Sequence, residues 1–192
     1  TMAGALYAPL VIKALRTRNV FSASTLDQMP KQVALGYMFG NPFAFTVPDI
    51  DRTDHLVVIG ANPMVSNGSL ATAADFPGKL RALRRRGGTL TVIDPARTRP
   101  AALADVHLAP RPGTDGLLLL AVVHVLFDEE LVSDDLGGIA DHVTGVDTVR
   151  ALAADFAPEA VADSCGVAAQ DIRQLARDIA AAPSAAAYGR IG

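Results

Sequence analysis

The chain has 192 residues and a formal net charge of −3, and 50% of its residues are hydrophobic against 19% that are charged. This length and hydrophobicity allow a buried core and exclude a disordered chain, because disorder combines low hydrophobicity with high charge. The single cysteine excludes a disulfide framework and a multi-cysteine zinc or iron–sulfur site in this chain, and the mild acidity argues against a dedicated nucleic-acid binder.

The first third of the chain predicts two helices followed by a loop. Apolar spacing over residues 5–15 suits one helix, in which Pro9 must lie near the start or produce a kink. Ser24 or Thr25 can cap a second helix that continues to about Gly40. A signal peptide has a basic segment before its apolar run and a small-residue cleavage site after it. The N-terminal apolar run of this chain has neither.

The middle third predicts strands that alternate with helices. Continuous apolar runs at 55–59 and 90–93 suit buried parallel strands, and 106–108 suits a third, short strand. Residues 76–86 predict a helix with an arginine-rich end, which Gly87-Gly88 terminates. This alternation, with polar loops at the carboxyl ends of the strands, predicts an α/β fold: a doubly wound, mostly parallel sheet flanked by helices, as in Rossmann-like domains.

The last third is predicted to be helical until a final strand. Helices are expected at 115–127, 149–156 and 172–182, and a strand of small residues at 185–188. The first of these helices is apolar but falls short of the ~20 residues that a membrane span needs. No membrane segment is therefore expected. The compartment stays open, with the cytoplasm favoured.

The loops after the three middle strands carry side chains that suit a nucleotide. Ligands of open parallel sheets bind beyond the carboxyl ends of the strands. Glycine lets a backbone approach the ligand closely, helix N-termini favour a diphosphate, and carboxylates accept from a guanine edge or from ribose hydroxyls. The residues with these properties are Gly60 and Gly113, the neutral Asn62, Ser66 and Thr114, and the acidic Asp94 and Asp115.

Turn chemistry explains part of the same pattern. Glycine and proline are common at strand ends, Asp94 before Pro95 is a frequent turn pair, and Asp115 can serve only to cap its helix. A nucleotide site and ordinary turns therefore stay open as alternatives. The G-x-G-x-x-G pattern is missing after Ile59, which disfavours an NAD-type site.

Three motifs in this order resemble the molybdopterin oxidoreductase family, which includes formate dehydrogenases, nitrate reductases and dimethyl sulfoxide reductase. They are G-x-N-P-x-x-S at 60–66, D-P-x-R-T-x-x-A-x-x-A-D at 94–105 and P-G-T-D at 112–115. The resemblance extends from about Arg18 to Gly192. It implies a bis-molybdopterin guanine dinucleotide cofactor with molybdenum or tungsten, and two-electron or oxygen-atom transfer on a small substrate such as formate or nitrate.

The resemblance also implies roles for individual residues in the cofactor site. Ala96 stands where the family usually has arginine, so one contact is expected to be missing. The implied set is Gly60, Asn62, Pro63 and Ser66 along the diphosphate and ribose, Asp94, Pro95 and Arg97 beside the nucleoside, and Gly113, Thr114 and Asp115 over the guanine.

Asp27 is the candidate metal ligand and catalytic residue. The family's molybdenum ligand lies on a loop after an R-N or N-N pair and before a proline. Alignment of Arg18-Asn19 and Pro30 with that frame, without gaps, puts Asp27 at the ligand position. A carboxylate oxygen suits a hard, high-valent metal. The alternative is an acid in the first turn of a helix, favoured by the helix dipole.

The remaining polar residues fit structural roles better than catalytic ones. The four histidines lack a second ligand at metal spacing, and Cys165 suits a small buried residue before a turn. Arg190 is of greater interest, because the family's loop after that strand faces the metal pocket.

We expect the chain to be one α/β domain, residues 1–192, cut from a longer enzyme, since Met2 behind Thr1 is unlike a natural start. Residues 1–50 are predicted as a helical entry segment with a metal-facing loop, 51–130 as the guanine-dinucleotide-binding core, and 131–192 as helices that return to the sheet.

The expected partners are the remaining domains of the enzyme, a small-molecule substrate and an electron-transfer subunit, but no nucleic acid. Any iron–sulfur cluster is expected in the remaining domains. Alone, the chain is expected to be inactive. Two alternatives stay open: a stand-alone nucleotide-binding α/β module without redox activity, and the central sheet domain of a thiamine-diphosphate enzyme.

Overall fold

A computed structural model describes residues 2–21, 24–66, 73–133 and 137–190. The chain forms two units, residues 1–44 and residues 45–190. Within the described residues, no helix is both long enough and apolar enough to cross a bilayer.

The first unit contains three helices: α1 (Met2–Leu15), α2 (Ser24–Asp27) and α3 (Met29–Phe39). The prediction of one continuous second helix is wrong, because the helical segment is interrupted at Gln28. Pro30 accounts for the break, since proline has no N–H to donate and is tolerated in the first turn of a helix but not in its interior. The predicted end of this segment is confirmed: Gly40 has a φ of 69° and donates its N–H to the carbonyl of Gly36.

The second unit contains a sheet of four parallel strands in the order β3-β2-β1-β4. Ile59 at the end of the first strand lies opposite Ile93 on one side and Gly189 on the other. The predicted parallel α/β sheet is therefore confirmed. The strands are β1 (His55–Ile59), β2 (Thr89–Ile93), β3 (Val106–Leu108) and β4 (Ala185–Gly189).

Seven α-helices and one 3-10 helix accompany the described strands. Those with a clear apolar period, or a long apolar run, were expected from the sequence, whereas the 3-10 helix and three short α-helices were not. Each of these three has a proline at its first or second position, which reads in the sequence as a turn. The helices are α4 (Pro63–Ser66), α5 (Phe76–Arg85), α6 (Arg99–Leu103), α7 (Asp115–Asp128), α8 (Val146–Ala153), α9 (Pro158–Cys165) and α10 (Ala169–Ala181), with the 3-10 helix at Gly137–His142.

Alternate side chains of the strands build two hydrophobic cores, one on each face of the sheet. Leu56 and Val58 pack with α5, whose Leu80 is fully buried. Val57 and Ile93 instead pack with α7, α9 and α10. Each fully buried aliphatic side chain contributes about 1.5–3 kcal/mol relative to an exposed one, so helices on both faces are required to stabilise this sheet.

The direction of chain connection reverses at β1. The chain proceeds from β1 through β2 to the edge strand β3, and then returns to β4 on the opposite side of β1. In doubly wound sheets, ligands bind beyond the carboxyl ends of the strands at this reversal.

Candidate functional site

Backbone hydrogen bonds hold the loops that follow the strands side by side. The N–H of Gly60 donates to the carbonyl of Ile93 at 2.8 Å, and the N–H of Asp94 donates to that of Leu108 at 3.0 Å. On the other side, the N–H of Arg190 donates to the carbonyl of Ile59 at 3.0 Å. The loops after β1, β2 and β4 therefore begin next to one another at one edge of the sheet.

The loop after β1 leads directly into α4. Gly60 has a φ of +54°, a conformation that favours glycine, and Pro63 begins the helix. The carbonyl of Asn62 accepts from the N–H groups of Val65 and Ser66 at 3.0 and 3.1 Å, and from the Ser66 hydroxyl at 3.2 Å. The backbone of Asn62 thus starts α4, while its side-chain Oδ1 is buried and accepts no hydrogen bond from the described residues.

The loop after β2 is organised by Asp94. Its Oδ1 accepts from the N–H of Ala96 at 2.8 Å, a turn that aspartate commonly makes, and its carbonyl bonds His107 Nε2 at 2.9 Å. Pro95 and Arg97 are exposed. The hydroxyl of Thr98, just before α6, is buried and has no hydrogen-bond partner among the described residues.

The loop after β3 closes on the carbonyl of Arg111. This carbonyl accepts from the N–H of Thr114 at 3.1 Å and from its hydroxyl at 2.6 Å, while Gly113 has a φ of +83°. Thr114 precedes α7, and Asp115 is the first residue of that helix. The N-terminal end of a helix stabilises a carboxylate in this position.

Two buried oxygens without a hydrogen-bond partner among the described residues, Asn62 Oδ1 and Thr98 Oγ1, follow adjacent strands. A buried polar atom without a partner costs on the order of 1–3 kcal/mol, and most such atoms in folded proteins are paired. A ligand that donates to Asn62 Oδ1 and bonds the Thr98 hydroxyl would offset this cost. The chemistry of these oxygens and of the three loops fits the sugar hydroxyls and base of a nucleotide.

Thr98 was not among the residues that the sequence predicted for the site. Its motif was recognised, but nothing in the sequence distinguishes a buried hydroxyl from an exposed one in a turn. The one local signal for a special role of Thr98 is its position immediately before helix α6, which contains Pro100.

Asp27 is the last residue of α2, in the first unit, and its side chain is exposed. The helical segment is interrupted at the next residue, so Asp27 is the end of a helix of four residues. Arg190 follows β4 and is partly buried.

Three of the histidines make structural contacts. His55 Nε2 bonds Thr91 Oγ1 at 2.9 Å in the core, and His124 Nδ1 bonds the carbonyl of Ala153 at 3.0 Å; His107 has the contact with Asp94 described above. Cys165 is a buried free thiol. Within the ranges that the structure describes, no three histidine, cysteine or acidic side chains lie close enough to hold a metal ion.

Comparison with known proteins places most of the chain in one family. Residues 2–185 match the family model for molybdopterin oxidoreductase. The chain is 32% identical over 177 residues to formate dehydrogenase H of Escherichia coli K12, covering 92% of this chain and 24% of that protein. It is 32% identical over 169 residues to a nitrate reductase of Shewanella frigidimarina, covering 84% of this chain and 17% of the relative.

A solved structure shares the fold. Acetylene hydratase from Pelobacter acetylenicus superposes with a TM-score of 0.72 and 24% identity, covering 87% of this chain and 22% of that one. At this identity the likeness supports the fold alone. The chain spans about a quarter or less of the length of these relatives.

Proposed function

This chain belongs to the molybdopterin oxidoreductase family, and on that premise we propose that it binds the guanine dinucleotide arm of a molybdopterin cofactor. One observation carries the proposal: Asn62 Oδ1 and Thr98 Oγ1 are buried and unpaired among the described residues, beyond the carboxyl ends of neighbouring parallel strands. The family match argues against the thiamine-diphosphate alternative.

Each loop has a separate task in the proposed site. Gly60 has a positive φ that favours glycine, and because glycine has no Cβ the backbone can approach the diphosphate closely. Thr98 joins the set predicted from the sequence because of its unpaired hydroxyl. The set is Gly60, Asn62, Pro63 and Ser66 for diphosphate and ribose, Asp94, Pro95, Arg97 and Thr98 for the nucleoside, and Gly113, Thr114 and Asp115 for the guanine.

Asp27 is proposed as the protein ligand of the molybdenum or tungsten ion. When bound, the metal–pterin group supplies two-electron or oxygen-atom transfer, and the chain holds and orients it. A carboxylate oxygen is a suitable ligand for a hard metal. The helix-dipole alternative applies to α3, because Asp27 directly precedes Gln28, the N-cap residue of that 11-residue helix.

The proposed partners of this chain are the remaining domains of a longer enzyme. Many of the described large apolar side chains between residues 6 and 44 are exposed, and exposure of so many apolar side chains favours an interaction surface. Phe21 and Tyr37 are each 90% exposed and Leu26 is 81% exposed. Burial of these side chains against other domains would remove them from water. Any iron–sulfur cluster, and the contacts with an electron-transfer subunit, would lie in those domains.

The activity proposed for the whole protein is oxidation or reduction of a small substrate such as formate or nitrate. The relatives that support these substrates are the formate dehydrogenase and the nitrate reductase.

Metal and pterin analysis of the whole purified protein tests the proposal. The expected result is molybdenum or tungsten together with a pterin, and GMP after acid hydrolysis of the released cofactor. Assays with formate and nitrate then identify the substrate. A protein that contains neither metal nor pterin but binds free nucleotides would support the stand-alone module without redox activity.

A further inference from the structure

Arg111 connects the loop after β3 to the C-terminal end of α9. Its backbone N–H donates to the carbonyl of Cys165 at 2.8 Å, and its Nη1 donates to the carbonyl of Asp163 at 2.7 Å. The last carbonyls of a helix lack partners within the helix and form the negative end of its dipole. A guanidinium is therefore well suited to this position, and its charge strengthens the hydrogen bond.

The carbonyl of the same arginine closes the loop that the proposed function assigns to guanine. It accepts both the N–H and the hydroxyl of Thr114, at 3.1 and 2.6 Å. Asp115 follows directly as the first residue of α7. The placement of Thr114 and Asp115 thus depends on where the backbone of Arg111 is held.

Gly166 at the end of α9 leaves room for the side chain of Arg111. Gly166 has a φ of +74°, and a Cβ added there would lie 3.3 Å from Arg111 Cγ and 3.5 Å from Nε. The neighbours Cys165 and Val167 are buried in the core. The end of α9 is therefore a fixed support, and the arginine packs against it.

We infer that Arg111 is a positioning residue, which fixes Gly113, Thr114 and Asp115 for recognition of the guanine base. This inference rests on the proposed function, in which these three residues contact the base. The diphosphate is assigned instead to Gly60, Asn62, Pro63 and Ser66, and none of the hydrogen bonds described for Arg111 reaches these residues. Loss of Arg111 then weakens selectivity for the base and leaves the binding of a diphosphate unchanged.

The test measures the binding of GDP, CDP and pyrophosphate to the whole cofactor-free protein by calorimetry. Arg111→Ala and Gly166→Ala are expected to raise the Kd for GDP about tenfold, as for the loss of a charge-assisted hydrogen bond. The Kd values for CDP and pyrophosphate stay as in the wild type. Arg111→Lys keeps the positive charge at the end of the helix but removes the planar guanidinium. Its loss of affinity for GDP is expected to be intermediate.

Gly87→Ala is the matched control for Gly166→Ala. Gly87 also follows a helix with a positive φ, +86°, but a Cβ there meets nothing within 4 Å. Both substitutions therefore introduce backbone strain, and only Gly166→Ala disturbs Arg111. The GDP preference of Gly87→Ala is expected to equal that of the wild type.

The outcomes separate this inference from the proposed function. A wild type that prefers GDP, together with an Arg111→Ala variant that keeps the preference, overturns the positioning role alone. An equal loss for all three ligands also overturns it, because it indicates a general structural role. A wild type without any preference for GDP overturns the proposed guanine site and this inference with it. Arg111→Lys provides the decisive comparison if Arg111→Ala does not fold.

Discussion

At the scale of single residues, the unpaired hydroxyl of Thr98 distinguishes a binding role from a structural one. Thr98→Val removes a polar atom that has no partner among the described residues. The unfolding temperature of the cofactor-free protein is expected to stay constant or rise, because the cost of a buried, unpaired oxygen is removed. Retention of the cofactor during dialysis is expected to fall several-fold.

Thr91→Val is the matched control for this substitution. The Thr91 hydroxyl is buried and bonds His55 Nε2 at 2.9 Å. Its removal leaves the imidazole without that partner and costs about 1–3 kcal/mol of stability. Cofactor retention should be unaffected. A Thr98→Val variant that loses stability and keeps its cofactor would contradict the role of Thr98.

Asp27→Ala tests the proposed metal ligand. The whole protein carrying this substitution is expected to lose most of its activity and to show a changed X-ray absorption spectrum at the metal edge, because an oxygen ligand is removed. Asp171→Ala, which removes an acid from the first turn of α10, is the control for a dipole effect alone. Activity and a metal spectrum that both match the wild type would exclude Asp27 as the ligand.

At the scale of elements, a network of ion pairs joins α7, α9 and α10. Glu129 at the end of α7 accepts from Arg177 Nε at 2.7 Å and also pairs with Arg173, which donates to Glu159 at 2.9 Å. The hydrogen bond from Arg177 lowers the pKa of the Glu129 carboxyl from its ordinary 4.5, and the bond from Arg173 lowers the pKa of Glu159. The network connects the three helices that cover one face of the sheet.

The lowered pKa values predict how this network responds to acid. A carboxylate with a lower pKa in the folded state adds stability that is fully present above its unfolded pKa and is lost as the pH falls through the folded value. Protection of α10 amides from hydrogen exchange, corrected for the intrinsic pH dependence of exchange, should therefore decrease below about pH 4.5. Arg177→Met should flatten this decrease, whereas Arg81→Met on α5 should not. Equal pH profiles for wild type and Arg177→Met would contradict the linkage.

The elements that the sequence predicted are those with strong local signals. The apolar runs of β1 and β2 and the arginine-rich end of α5 identify their elements without tertiary information. Short helices such as α4 and α6 exist because of contacts made elsewhere in the fold, and they carry no period to detect. The same limit applies to the site: the loops were recognised by their motifs, but burial of the Thr98 hydroxyl depends on packing.

At the scale of the whole molecule, the hydrophobic composition includes many side chains that the two cores do not bury. Half of the residues are hydrophobic, and residues 2–44 expose many of them, including Leu6, Leu10 and Leu15 at more than 60% each. The chain covers 24% of the length of formate dehydrogenase H. This exposure supports the proposal that other domains of a longer protein cover these side chains.

The central claim is that a guanine dinucleotide binds beyond the carboxyl ends of β1, β2 and β3. An experimental structure of the whole protein with its cofactor tests this claim most directly. The account predicts density for the nucleotide within hydrogen-bond distance of Asn62 Oδ1 and Thr98 Oγ1, with the guanine beside Asp115. A nucleotide bound elsewhere, with both of these oxygens still unpaired, would contradict it.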